Sequence, residues 1–272
     1  MEPLHALLLG IVQGITEWLP VSSSGHLVLL QRSLGLNVPV FFDLVLHVAT
    51  VMVVIVAFRG DIGDILRSLI STFRLRKKGM SFREILATER PTLLAWFIFL
   101  GSIPTAIIGF GFRDFVEPLF SNLTAVGLAL LVTASILLLT LLSRKRKDFM
   151  GATDAVFVGV MQGISIVPGV SRSGSIISVG MLRGMDRELA ARYAFLLSIP
   201  AILGAAAFEF FQVMAGSAYI DLQLLAIAFL SSLLFGYLSL RLLWFIVKKA
   251  KLHYFSAYCF ALGILVLLYG LL

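Results

Sequence analysis

The sequence predicts an all-α polytopic membrane protein with six transmembrane helices, two re-entrant helix-loop-helix segments and an inverted internal repeat. Three observations predict it. Hydrophobic residues fill 59% of the 272 positions and charged residues only 14%, with a mean hydropathy of +1.00. A soluble chain of this length needs more polar surface to cover its core, whereas a bundle in lipid does not. Two hydrophobic stretches are interrupted midway by Pro, Gly and Ser, and a stretch early in the chain matches one later in the chain at a fixed offset.

Taken in order, the apolar runs near 40–58, 91–112, 121–143, 187–212, 222–247 and 252–272 each have the roughly 20 residues that cross a hydrocarbon core. The stretches 4–32 and 152–182 are broken by Pro20 to Gly25 and by Pro168 to Gly174. Two half-helices that enter and leave on one side fit that pattern, because irregular backbone at membrane depth must be buried in protein or line a wet cavity. Basic residues orient the chain. Arg59, Arg67, Arg74, Arg76, Lys77, Lys78, Arg83 and Arg90 fall in what reads as a loop after the first span. Further basic groups are Arg144 to Lys147, Arg183 with Arg187, and Lys248, Lys249 and Lys251. With all of these in the cytoplasm, the loops 113–121 and 216–221 and both termini face outside. The first broken segment then enters from outside and the second from the cytoplasm.

The net charge of +7 is thereby absorbed by loops flanking spans, and no nucleic-acid partner is expected. Cys259 is the lone cysteine, which excludes a disulfide framework and a thiolate metal site. No basic residue precedes the first apolar stretch, so a cleaved signal peptide is not expected.

At an offset of 149 positions, Gly10-Ile-Val-Gln-Gly-Ile-Thr lies over Gly159-Val-Met-Gln-Gly-Ile-Ser, and Val21-Ser22-Ser23-Ser24-Gly25 over Val170-Ser171-Arg172-Ser173-Gly174. The shared residues are mostly small or polar, so hydrophobic bias does not produce the match. It divides a single membrane domain, 1–272, into halves 1–150 and 151–272. Each half carries one broken segment and three spans, and an odd span number inverts the second half. Inverted repeats with interrupted helices are commonest in transporters, which makes a lipid carrier the rival reading.

The first break reads Gln13-x-x-x-Glu17-x-x-Pro20-x-Ser22-Ser23-Ser24-Gly25-His26. A carboxylate near the bilayer centre costs about 2.5–3.5 kcal/mol on insertion scales and needs a partner. Gln13 and Glu17, at i and i+4, share a helix face and are candidate oxygen ligands for one cation. Ser22, Ser23, Ser24 and Gly25 bring hydroxyls and N–H groups of the kind that bind phosphate at a helix start. His26 is a candidate proton carrier. The second break, Pro168-Gly169-Val170-Ser171-Arg172-Ser173-Gly174, adds Arg172, a planar cation suited to phosphate oxygens, with Ser171, Ser173 and Gly174 as further phosphate contacts. Together these residues fit metal-assisted phosphoryl transfer, with Ser23 or a water as nucleophile. Asp43 and His47, also i and i+4, are placed behind the site as its supports, and Trp18 as a candidate lipid contact.

Both motifs resemble the undecaprenyl-diphosphate phosphatase (bacitracin-resistance) family, on Gln13-Gly-Ile-Thr-Glu-Trp-Leu-Pro-Val-Ser-Ser-Ser-Gly-His26 and Pro168-Gly-Val-Ser-Arg-Ser-Gly174. The resemblance runs over the whole chain. It implies removal of the terminal phosphate from a polyprenyl diphosphate lipid, aided by a divalent cation such as Mg2+ or Ca2+. It implies catalytic roles for Glu17, Ser23, His26 and Arg172. Gln13 stands where the family often has Glu, which leaves Glu17 as the indispensable carboxylate, and Ser24 stands where Thr is common. The expected location is the cytoplasmic (inner) membrane with the site open to the outer face, among membrane lipids, and a homodimer is one expected assembly. No His-x-x-x-Asp follows Ser171-Arg172, which excludes the unrelated phosphatidic-acid-phosphatase type.

Overall fold

The structure, a computed structural model, describes residues 1–144, 147–215 and 221–270, with the backbone alone for 212–215. Lys145 and Arg146 of the second basic cluster, most of the 216–221 loop and the last two residues of the final expected span lie outside the described residues. The described residues are helical, with no strand among them. In chain order the helices are α1 (Pro3–Trp18), α2 (Ser23–Ser33), α3 (Val40–Ala57), α4 (Arg59–Lys77), α5 (Phe82–Thr88), α6 (Arg90–Gly111), α7 (Arg113–Val116), α8 (Leu123–Leu139), α9 (Ala152–Ile164), α10 (Arg172–Leu182), α11 (Arg187–Ala215), α12 (Leu222–Lys248) and α13 (Tyr254–Gly270). Helices α3, α6, α8 with the 3-10 turn that follows it, α11 and α12 are long and apolar enough to cross a membrane. The sixth expected span, α13, is an apolar helix of 17 residues over its described part. The protein is an all-α polytopic membrane protein.

Both breaks have a local cause. A residue before proline is pushed out of the helical region, and Leu19, before Pro20, ends α1 at φ −65°, ψ 145°. Ser22 then takes φ 69° and caps α2 by accepting the Gly25 N–H at 3.3 Å. In the second break Pro168 and Gly169, the latter at φ 100°, separate α9 from α10, and Ser171 caps α10 by accepting the Gly174 N–H at 3.2 Å. Residues matched by the 149-residue offset thus make the same cap.

Packing follows the same correspondence. Helix α1 lies against α12, and its counterpart α9 lies against α6. Each contact is made close by glycine: a Cβ on Gly10 would collide with Ala228 and Ser231, and one on Gly159 with the Gly101 backbone. Small residues of this kind are what let membrane helices approach. Helices α3 and α11 pack on each other, as do α8 and α13.

Two expectations are corrected here. The basic stretch after the first span is not a loop but the helices α4 and α5. Its charges obscure apolar residues at helical spacing, Ile62, Ile65, Leu69 and Phe73, and Ser81 with Glu84 forms a capping box that starts α5. Trp18 is no lipid contact: only 2% of it is exposed, and it meets Phe195 edge to face with ring centroids 5.5 Å apart.

Candidate active site

The two breaks meet. Gly169 of the second donates its N–H to Ser22 Oγ of the first at 3.1 Å, and Ser173 Oγ donates to the Leu19 carbonyl at 3.2 Å. From behind, Thr133 on α8 accepts the Ser171 N–H at 2.9 Å and donates to the Gly169 carbonyl at 2.8 Å. The N-termini of α2 and α10 are thereby fixed side by side. Their first-turn N–H groups have no helix carbonyl to bond and carry the positive end of the helix dipole, a setting suited to anions.

Glu17 is the hub of this junction. It is 5% exposed. Its Oε2 accepts from Ser23 Oγ at 2.6 Å and from Gln13 Nε2 at 2.9 Å, and lies 3.4 Å from His47 Nε2. Its Oε1 faces an Arg172 guanidinium nitrogen at 3.5 Å. One carboxylate therefore joins α1, α2, α3 and α10. An ionised carboxylate removed from water must be paired and hydrogen-bonded, and this one is, by two cation-capable side chains and two donors. Arg172 remains about a quarter exposed, so its fork is accessible.

Gln13, Ser23 and Arg172 converge on Glu17 as the sequence suggests. His26 turns the other way. Its Nδ1 lies 2.7 Å from the Ser22 carbonyl, so that nitrogen donates, and its Nε2 lies 2.7 Å from the hydroxyl of Tyr258 on α13. Nε2 is then the acceptor in the neutral ring. Tyr258 was not legible in the sequence, where it is one aromatic in an apolar run. His47, expected to stand behind the site, is in contact with Glu17 itself, and its Nδ1 lies 2.8 Å from the Asp43 carbonyl. The Asp43 carboxylate is instead held by Gln31 Nε2 at 2.9 and 3.0 Å. Ser24 Oγ lies 3.3 Å from Ser22 Oγ, and Ser171 Oγ 3.5 Å from Ser173 Oγ.

No group of three or more His, Cys, Asp or Glu side chains arranged for a metal occurs among the described residues. One observation nonetheless suits a cation: Gln13 Oε1, beside Glu17, is buried with no hydrogen-bond partner. An amide oxygen and a carboxylate are oxygen donors of the kind that Mg2+ and Ca2+ accept. Beside the junction a groove of about 400 Å³ runs between α1, α2, α8 and α13, walled by Val12, Leu29, Leu30, Leu123 and Tyr269, with His26, Arg32 and Ser33 as its polar members.

Residues 6–265 match the family described as bacitracin resistance protein BacA. The chain is 41% identical to a protein named undecaprenyl-diphosphatase from Carboxydothermus hydrogenoformans, over 98% of this chain and 97% of that one. Similar proteins of the same name occur in Methanosphaera stadtmanae, 38% identical over 98% of each chain, and in Korarchaeum cryptofilum, 39% identical over 98% of this chain and 99% of that one.

Proposed function

The chain belongs to the bacitracin resistance protein BacA family, and from that premise we propose that it hydrolyses undecaprenyl (polyprenyl) diphosphate to the monophosphate and phosphate. The observation that carries this reading is the 2.6 Å hydrogen bond from the Ser23 hydroxyl to Glu17, with Arg172 on the far side of the same carboxylate. A nucleophile bonded to its base, beside a cation for the phosphate, is the minimum set for phosphoryl transfer by an enzyme-bound serine.

In this reading the diphosphate lies across the N-termini of α2 and α10, its charge met by Arg172 and first-turn N–H groups. Ser23 Oγ attacks the terminal phosphorus as its proton passes to Glu17 Oε2. The bond from that phosphorus to the bridging oxygen breaks, and the electron pair leaves with the lipid monophosphate. Water then cleaves the phosphoserine, restoring the hydroxyl and releasing phosphate. His47, with Nε2 3.4 Å from Glu17, holds the carboxylate in place. His26, with Nε2 accepting from Tyr258, is available to carry a proton between the junction and the groove. Gln13 Oε1 and Glu17 would hold a divalent cation, Mg2+ or Ca2+, which supplies further neutralisation of phosphate charge.

The apolar groove suits the first part of the prenyl chain, since His26 belongs both to its wall and to the first break. The basic clusters support a location in the cytoplasmic membrane with the junction reached from the outer face. The carrier reading finds no support in relatives that are named as diphosphatases. The test is phosphate release from the lipid diphosphate by purified protein in detergent, together with acid-stable phosphate on Ser23 after rapid quenching. Phosphate release without any phosphoserine would assign the attack to water. Transport of the lipid across vesicles with no phosphate released would restore the carrier.

A further inference from the structure

We infer that α4 is an interfacial helix whose outer surface docks anionic phospholipid. The helix is tied to protein along one side only. Ser68 shares a short hydroxyl hydrogen bond with Thr92 of α6, and Thr72 Oγ1 lies 3.2 Å from the same Thr92 hydroxyl. Ile62 and Ile65 pack on the main core, and Asp61 lies 3.4 Å from Arg192 of α11. Thr92 lies in the first turn of α6 and Arg192 near the start of α11, so the polar contacts of α4 are made with the ends of those two helices.

A second face, one-third of a turn away, carries Leu66, Leu69, Ile70 and Phe73, exposed by 56%, 40%, 58% and 73%. Their spacing of three, one and three residues forms a single apolar stripe. A third face carries Arg67, Arg74 and Lys78 at spacings of seven and four. From Ile65 to Lys78 there are five cations and no acid, so the segment is too charged to cross a membrane, and it is absent from the helices that qualify as spans. A helix with one side on protein, one apolar stripe and one basic stripe satisfies all three at the plane where acyl chains meet headgroups. Arg67 pairs with Asp64 three residues back at 2.7 Å, whereas Arg74 and Lys78 have no acid beside them in sequence, and this basic stripe selects headgroups of negative charge. The inference is independent of the catalytic reading.

The experiment uses the full-length protein with its lone cysteine removed (Cys259→Ala), carrying a nitroxide at Phe73→Cys, Ile70→Cys or Arg74→Cys. It is reconstituted in phosphatidylcholine vesicles with and without phosphatidylglycerol. Collision rates with oxygen, which enters lipid, and with a water-soluble nickel chelate are compared. The expected result is oxygen access with nickel shielding at 70 and 73 and the reverse at 74. Added phosphatidylglycerol should shield 73 further, and that dependence should vanish in Arg67→Gln/Arg74→Gln/Lys78→Gln while phosphate release in detergent stays unchanged. Equal nickel access at 70, 73 and 74 would overturn the proposal. So would shielding of 70 and 73 from both reagents, which would mean that protein covers the stripe, or no response to phosphatidylglycerol.

Discussion

At the scale of residues the candidate site turns on Glu17, which bonds Ser23 and Gln13 and faces Arg172 and His47. Glu17→Gln keeps the shape and removes the proposed base, and the expected loss in kcat/KM is about 10³-fold, within the range for general acid-base catalysis. Gln13→Glu should lower the divalent-cation concentration needed for half-maximal phosphate release, since a second carboxylate joins the ligand set; an unchanged cation titration would remove Gln13 from that role. Tyr258→Phe, which deletes the hydroxyl on His26 Nε2, should reduce kcat about tenfold, less than the roughly 10²-fold or more of a group that transfers the proton itself, with KM little changed. Glu17, Ser23 and Arg172 are legible in the sequence because an acid and an arginine set among Ser and Gly in breaks of apolar helices call for a partner or a ligand. His47 is only half legible, since nothing in its spacing from Asp43 indicates that its ring points to a residue on α1. Tyr258 is not legible at all: its contact with His26 spans 232 positions and depends on how α13 seats against α2.

At the scale of elements, the site exists because two helix breaks interlock. Ser22 holds an uncommon φ of 69° and accepts N–H groups from Gly25 and Gly169. Ser22→Ala removes the cap of α2 and the bond across the junction, and a loss of about 1–2 kcal/mol is expected, read as earlier thermal unfolding in detergent. Retention of the wild-type melting temperature would show that the junction does not depend on this residue. The breaks are legible in the sequence because Pro, Gly and Ser punctuate an apolar run, and their likeness is legible because small residues recur at a fixed offset. Helices α4 and α5 are missed for the opposite reason. Charge density along Arg59–Arg90 suggests a solvated loop, while the apolar residues beneath the charges belong to two separate faces, one on protein and one outward.

At the scale of the whole molecule, α1 on α12 and α9 on α6 exchange partners between the front and back of the chain, so that each broken segment is braced by a helix remote in sequence. Hydropathy gives the spans but not this exchange, which rests on glycines meeting backbone. Gly159→Leu should therefore prevent assembly of the bundle, seen as loss of monodisperse protein in detergent, because the Gly101 backbone occupies the space a side chain would need. Removing divalent cations with a chelator should abolish phosphate release while leaving that monodispersity intact. The most direct measurement is phosphate release from undecaprenyl diphosphate by the purified protein, set beside Glu17→Ala and Arg172→Ala variants of matched thermal stability. The proposed function requires turnover in the parent protein and its loss, by about 10³-fold or more, in both variants. Parent-like turnover in either variant would contradict it.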